Sequence, residues 1–197
     1  MDLFERIKHN FNENQALNQK YSAELVANIA SASERIVQCL LSSNKILVCG
    51  NAGSAALAQY FSSLMLNRFE SERPSLPAIA IGGNLATTSA IAIDSGFNDI
   101  YAKPIKALGQ QNDILLTISS SGNSTNLLEA VNVAHNRGLK IIALSGNHGG
   151  QLATELNDDD IHICVDHPSS TRTLELHLLI IHCLCDIIDR QLFSNEE

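Results

Sequence analysis

Two short segments concentrate the residue types that hold an anion. Cys49-Gly50-Asn51-Ala52-Gly53-Ser54-Ala55 and Ile118-Ser119-Ser120-Ser121-Gly122-Asn123-Ser124-Thr125-Asn126 each follow a continuous apolar run and precede a stretch of helical spacing. A helix N-terminus presents unpaired N–H groups and a partial positive charge. Glycine lets the backbone come close to a ligand, and serine hydroxyls add donors without bulk. Together these suit a phosphate group. Ser54 and Ser124 can also be read as helix caps. Four serines within Ser119–Ser124 exceed what a cap needs. Neither segment carries Gly-Lys-Ser/Thr or G-x-G-x-x-G, which argues against ATP and NAD and for a small phosphorylated compound.

The elements that must position these segments alternate. Apolar runs at Lys45–Gly50, Leu76–Ile81, Asp113–Ile118, Lys140–Leu144 and Ile161–Val165 predict strands buried on both faces. Between them, Ser54–Arg68, Ala86–Ile93, Ser124–Arg137 and Gly149–Leu156 are expected to be helices. Such alternation predicts an α/β fold with a parallel sheet. Ahead of it, Leu3–Tyr21 and Glu24–Leu41 read as helices, the second with one apolar stripe from Leu25 to Leu41. Thr171–Leu192 closes the chain as a long helix that is apolar around most of its surface, as expected of a buried or interfacial element. Pro104 and Pro168 are expected at turns or helix starts.

Composition narrows the function classes. The 197 residues include 45% apolar and 17% charged side chains, enough for one globular domain and too apolar for a disordered chain. A formal net charge of −8 argues against direct, electrostatically driven binding to nucleic acid. No apolar run is long enough to cross a bilayer, and the Met1–Arg6 start lacks a secretory pattern, so a cytoplasmic protein with no membrane association is expected. The five cysteines lie mostly in apolar segments and read as buried free thiols. Cys183 and Cys185 point roughly 200° apart on a helix, which disfavours a metal site with His182.

With the two loops and Arg172-x-x-Glu175-x-His177, the chain resembles sugar isomerase (SIS) domains. Asn67-Arg68-Phe69-Glu70-Ser71-Glu72-Arg73-Pro74-Ser75-Leu76-Pro77-Ala78-Ile79-Ala80 is similar to the branch holding phosphoheptose isomerases and the DnaA initiator-associating proteins. The likeness covers essentially the whole chain. It implies a flavodoxin-like, five-stranded sheet in one SIS domain spanning residues 1–197, with residues 1–42 as a helical segment on the core. It further implies a homotetramer with sites between subunits. A sugar phosphate would be held by Asn51, Ala52, Gly53 and Ser54, by Asp94 at the sugar hydroxyls, and by Ser119, Ser120, Ser121 and Ser124 at the phosphate. Ala52 stands where the family usually has glycine and Ser120 where it usually has threonine.

The same resemblance implies a zinc site that these residues do not reproduce. The heptose isomerases place a His and a Glu on the helix after the first loop, and a Gln and a second His on the last helix. Here those positions read Tyr60, Leu64, Leu174 and His182. His182 survives as a candidate base, and Glu175, seven residues before it, falls on nearly the same helical face. Membership of the Arg172 motif favours an ion-pair role for Glu175. The expectation is therefore a phosphosugar-binding protein without a cofactor that does not isomerise, acting in replication initiation with the DnaA initiator as partner. Cys183–Asp189 followed by Leu192-Phe193 resembles that subgroup. The competing reading is a phosphoheptose isomerase, an aldose–ketose isomerase of sedoheptulose 7-phosphate that would use zinc. A third is a sugar-phosphate sensor unrelated to DnaA.

Overall fold

The computed structural model describes residues 2–193. Five parallel strands, β1 (Ile46–Gly50), β2 (Ala78–Ala80), β3 (Ile114–Ser119), β4 (Lys140–Gly146) and β5 (Ile161–Val165), lie in the order β2-β1-β3-β4-β5. Every residue of β1 and β3 is buried, because helices cover both faces of the sheet. Register is fixed at Ile46↔Ile114 and Ile114↔Lys140. An ion pair clamps the start of β1 to β3, with Lys45 Nζ 2.6 Å from Asp113 Oδ2. Burial alone would raise the Asp113 carboxyl, but hydrogen bonds from Lys45, Gln110 and Asn44 outweigh it and leave that group below its ordinary range.

One face of the sheet carries α1 (Leu3–Glu24), α2 (Val26–Leu41), α3 (Gly53–Leu66) and α8 (Ser170–Phe193), packed on Ile46, Val48, Ile114, Leu116 and Ile118. The other carries α5 (Asp99–Leu108) and α6 (Thr125–Asn136), packed on Leu47, Leu115, Ile141 and Ala143. Alternate strand residues thus feed opposite cores, as the two-residue period of a strand requires. α4 (Leu85–Ser95) buries none of its residues. α7 (Leu152–Glu155) is a single turn after a 3-10 turn at Asn147–Gly149, shorter than the helix expected over Gly149–Leu156.

Two further expectations about elements are corrected. Pro104 sits inside α5, an element the sequence reading did not assign. Proline removes one intrahelical donor, but Ile100, Tyr101, Ala102 and Ile105 are buried against the core and hold the helix. β2 is also shorter than Leu76–Ile81, because Pro77 cannot donate to the ladder and pairing begins at Ala78. Among the described residues no helix is long and apolar enough to cross a membrane. The five cysteines are unpaired, and burial pushes the Cys39, Cys49 and Cys185 thiols up to about 12.

Candidate functional site

Strand order reverses between β1 and β3, the switch point at which open α/β sheets leave a crevice for ligands. The two loops singled out in the sequence leave those two strands side by side. Asn51 and Asn126 tie them together through reciprocal amide hydrogen bonds, both 2.9 Å. The first loop turns sharply: a Cβ at Gly50 would sit 2.7 Å from the Ser54 carbonyl oxygen, so only glycine fits. α3 starts at Gly53, with Ala52 in the cap position at φ 50°, ψ −118° and no side-chain cap. Ser54 is therefore not the cap. It lies buried in the first turn, its N–H donating to the Asn51 carbonyl at 2.9 Å.

In the second loop, the Gly122 N–H donates to Ser119 Oγ at 3.0 Å and the Asn123 N–H to Ser121 Oγ at 3.3 Å. Gly122 takes φ 66° and presses on the Gly149 carbonyl, leaving no room for a side chain. The turn after β4 braces this loop from behind: the Leu152 N–H donates to the Gly122 carbonyl at 2.8 Å and the Gln151 N–H to Asn123 Oδ1 at 2.9 Å. Ser124 is the N-cap residue of α6 by backbone, yet its side chain makes no cap hydrogen bond. Its hydroxyl is free of the role that sequence reasoning weighed against ligand binding. Ala52, Gly53, Ser121 and Asn123 form an exposed rim around the half-buried Asn51, Ser120 and Ser124. Asp94 lies exposed on α4 with no side-chain hydrogen bond to a described residue.

Below the loops, α3 and α8 form a seam on which the expected metal positions fall. At its top Leu174 covers Gly53, where an added Cβ would be 2.7 Å from Leu174 Cδ1. Lower down, His182 Nε2 is 3.3 Å from the Tyr60 hydroxyl, and the two rings meet edge to face at 5.7 Å. The Phe69 ring also lies 5.7 Å from the His182 ring, tilted by 41°. Leu64 packs on the apolar core. Leucine offers no lone pair, and among the described residues no three His, Cys, Asp or Glu side chains gather to hold a metal. The residues of this seam do not fit zinc.

Glu175 is engaged elsewhere. One carboxylate oxygen pairs with Arg172 and the other accepts from Asn14 Nδ2 at 2.7 Å, while Arg172 Nε reaches Glu13 at 2.8 Å. This network ties α1 to the start of α8. His177 is fully buried, and desolvation pushes it down to about 4. Its Nε2 is 3.0 Å from the Ser145 carbonyl, so that nitrogen carries the proton of a neutral ring. Sequence reasoning missed one residue at the loops altogether: Tyr101, whose hydroxyl donates to the Gly50 carbonyl. The signal was absent because the helix that carries it was not assigned.

Known proteins resemble this chain along its whole length. A phosphoheptose isomerase of Coxiella burnetii (strain RSA 493 / Nine Mile phase I) is 51% identical over 197 residues, covering 100% of this chain and 99% of that protein. The structure of a phosphoheptose isomerase from Francisella tularensis superposes with a TM-score of 0.94 at 44% identity, covering 96% of this chain and 100% of that one. The phosphoheptose isomerase structure from Neisseria gonorrhoeae gives 0.91 at 41% identity, with 95% and 99% covered. These likenesses overturn the expectation of a non-catalytic regulator working with DnaA in replication initiation. That expectation rested on three absent zinc ligands and on the resemblance of Cys183–Asp189 with Leu192-Phe193, and these are few side chains beside the conformity of a whole chain. The SIS-domain family matches residues 9–146, and the expected fold is present strand for strand: the chain belongs to the SIS-domain family.

Proposed function

We propose that the chain is a phosphoheptose isomerase, interconverting sedoheptulose 7-phosphate and the corresponding aldoheptose 7-phosphate. The observation that carries this reading is likeness over the full chain, in sequence and in fold, to proteins of that name. The geometry is compatible with it. The phosphate is assigned to the Ser119–Ser124 loop, whose Ser124 side chain makes no cap hydrogen bond. Asn51 is held next to that loop, and the Nδ2 hydrogen that Asn126 does not use is assigned to the sugar. Asp94 is assigned here to the sugar hydroxyls, reached from an exposed helix.

Isomerisation needs a base that takes the proton from C1 of the ketose. The C1–C2 pair becomes an enediol, the proton returns to C2, and the hydroxyl proton passes from O1 to O2. His182 is the side chain of the α3–α8 seam assigned to this transfer, with the Tyr60 hydroxyl at 3.3 Å to orient its ring. Glu175 is assigned a structural role, since both its oxygens are occupied. Because the seam does not fit zinc, the proposed chemistry is metal-free. Leu3, Phe4, Ile7 and Phe11 on α1, with Leu85 and Ile93 on α4, are each more than half exposed, which supports a homotetramer in solution. A cytoplasmic location goes with a phosphorylated substrate.

The test is incubation with sedoheptulose 7-phosphate, reading the anomeric carbon signals by NMR. Appearance of the aldose supports the assignment, and an unchanged ketose overturns it.

A further inference from the structure

The first loop holds a conformation that its own sequence does not favour. Ala52 at φ 50°, ψ −118° occupies a region that a side chain with a Cβ rarely adopts, and α3 has no side-chain cap to compensate. Such a turn persists only where its surroundings over-determine it. Two buried side chains from the opposite layer do so. Tyr101 of α5, 4% exposed, gives its hydroxyl proton to the Gly50 carbonyl and lies 3.2 Å from Asn51 Oδ1. Asn126 of α6, 1% exposed, exchanges both amide hydrogen bonds with Asn51. The Tyr101 ring also closes on the turn after β2, where a Cβ at Gly82 would sit 2.7 Å from Cε1. One ring therefore touches the ends of β1 and β2 and, through Asn51 and Asn126, the loop after β3. Burial pushes the phenol up, so it remains a donor at any physiological pH.

We propose that Tyr101 and Asn126 are positioning residues: they clamp the strained Gly50–Gly53 turn against the Ser119–Ser124 loop and hold Asn51 for the sugar part of a sugar phosphate. The proposal rests on the sugar-phosphate reading above. It separates two contributions to binding. The phosphate is held by the second loop, which the clamp only borders, whereas the sugar is held by a first loop that depends on it.

Tyr101→Phe tests this, since it removes the hydroxyl and keeps the ring that packs on Gly82. Affinity for sedoheptulose 7-phosphate is expected to fall about five-fold, the worth of one hydrogen bond, while affinity for inorganic phosphate stays at the wild-type value. Adding Ala52→Gly to Tyr101→Phe is expected to recover most of the loss, because glycine adopts the turn without strain. Equal weakening of both ligands would reduce Tyr101 to a general structural part and overturn the proposal, as would unchanged binding of both. A wild-type protein that binds no sugar phosphate would instead sink the isomerase reading. The clamp is then judged without ligand, on the Asn51 side-chain amide hydrogens. Slow exchange with water that becomes fast in Tyr101→Phe supports it, and identical exchange in both proteins overturns it.

Discussion

The carboxyl edge of the sheet and the seam between α3 and α8 share a helix start at Gly53 but differ in chemistry. At the edge, small polar residues are locked by mutual hydrogen bonds, from the Asn51–Asn126 pair to Ser119 and Gly122. Along the seam, the positions that resemblance marks for metal ligands hold Tyr60, which meets His182 edge to face, Leu64, which packs on the apolar core, and Leu174, which covers Gly53. The edge is a pair of polar loops, to which the phosphate is assigned in the proposed function, whereas the seam carries leucines, tyrosine and one imidazole. Under the proposed function, binding and proton transfer draw on separate groups of residues, and a change in one need not damage the other.

The sharpest way to break that separation is His182→Ala. Turnover of sedoheptulose 7-phosphate is expected to drop by about 10²–10⁴-fold, the range for loss of a general base, with little change in affinity measured by calorimetry. A large loss of affinity would place His182 in the binding site and merge the two regions.

The next effect concerns the joint between them. His177 fastens α8 to β4 through Ser145, and its folded-state value near 4 lies below the ordinary 6.5. Above pH 6.5 the ring is neutral in both folded and unfolded chains, and the difference costs nothing. As pH falls below 6.5 the unfolded chain takes up a proton that the folded one refuses. Stability is therefore lost between pH 6.5 and about 4, by ~3 kcal/mol in total. Half-buried His162, also pushed down by desolvation, adds in the same direction. Urea midpoints of the wild type should decline over this window, and His177→Gln should flatten the decline.

Smaller effects probe the edge alone. Ser124→Ala should weaken sugar-phosphate binding by about 1 kcal/mol, the net value of one hydrogen bond, and Ser124→Asp by more, through repulsion of the dianion. Equal affinity in wild type and both variants would remove the phosphate assignment. Ala52→Gly should raise stability by about 1 kcal/mol, relief of strain exceeding the entropy that glycine adds to the unfolded chain. A lower melting temperature would show that the turn is not strained.

Much of this is legible in the amino-acid sequence. The buried strands announced themselves as continuous apolar runs, because a parallel sheet covered on both faces has no polar side to show. Both loops stood out because glycine, serine and asparagine gather where strand gives way to helix. What escaped were features that tertiary structure imposes. Pro104 hid α5, and with it Tyr101, fifty residues beyond the loop it holds. The strain at Ala52 has no local signature, since alanine is an ordinary residue until the backbone angle is known. The regulator expectation gives way to likeness over the whole chain, which the four seam positions taken alone do not convey.

The most direct test of a metal-free isomerase is turnover of sedoheptulose 7-phosphate by wild-type protein stripped with a strong chelator, compared with the same protein resupplied with zinc. The expected result is aldose formation at the same rate in both samples. Turnover that appears only when zinc is restored, or in neither sample, would contradict the account.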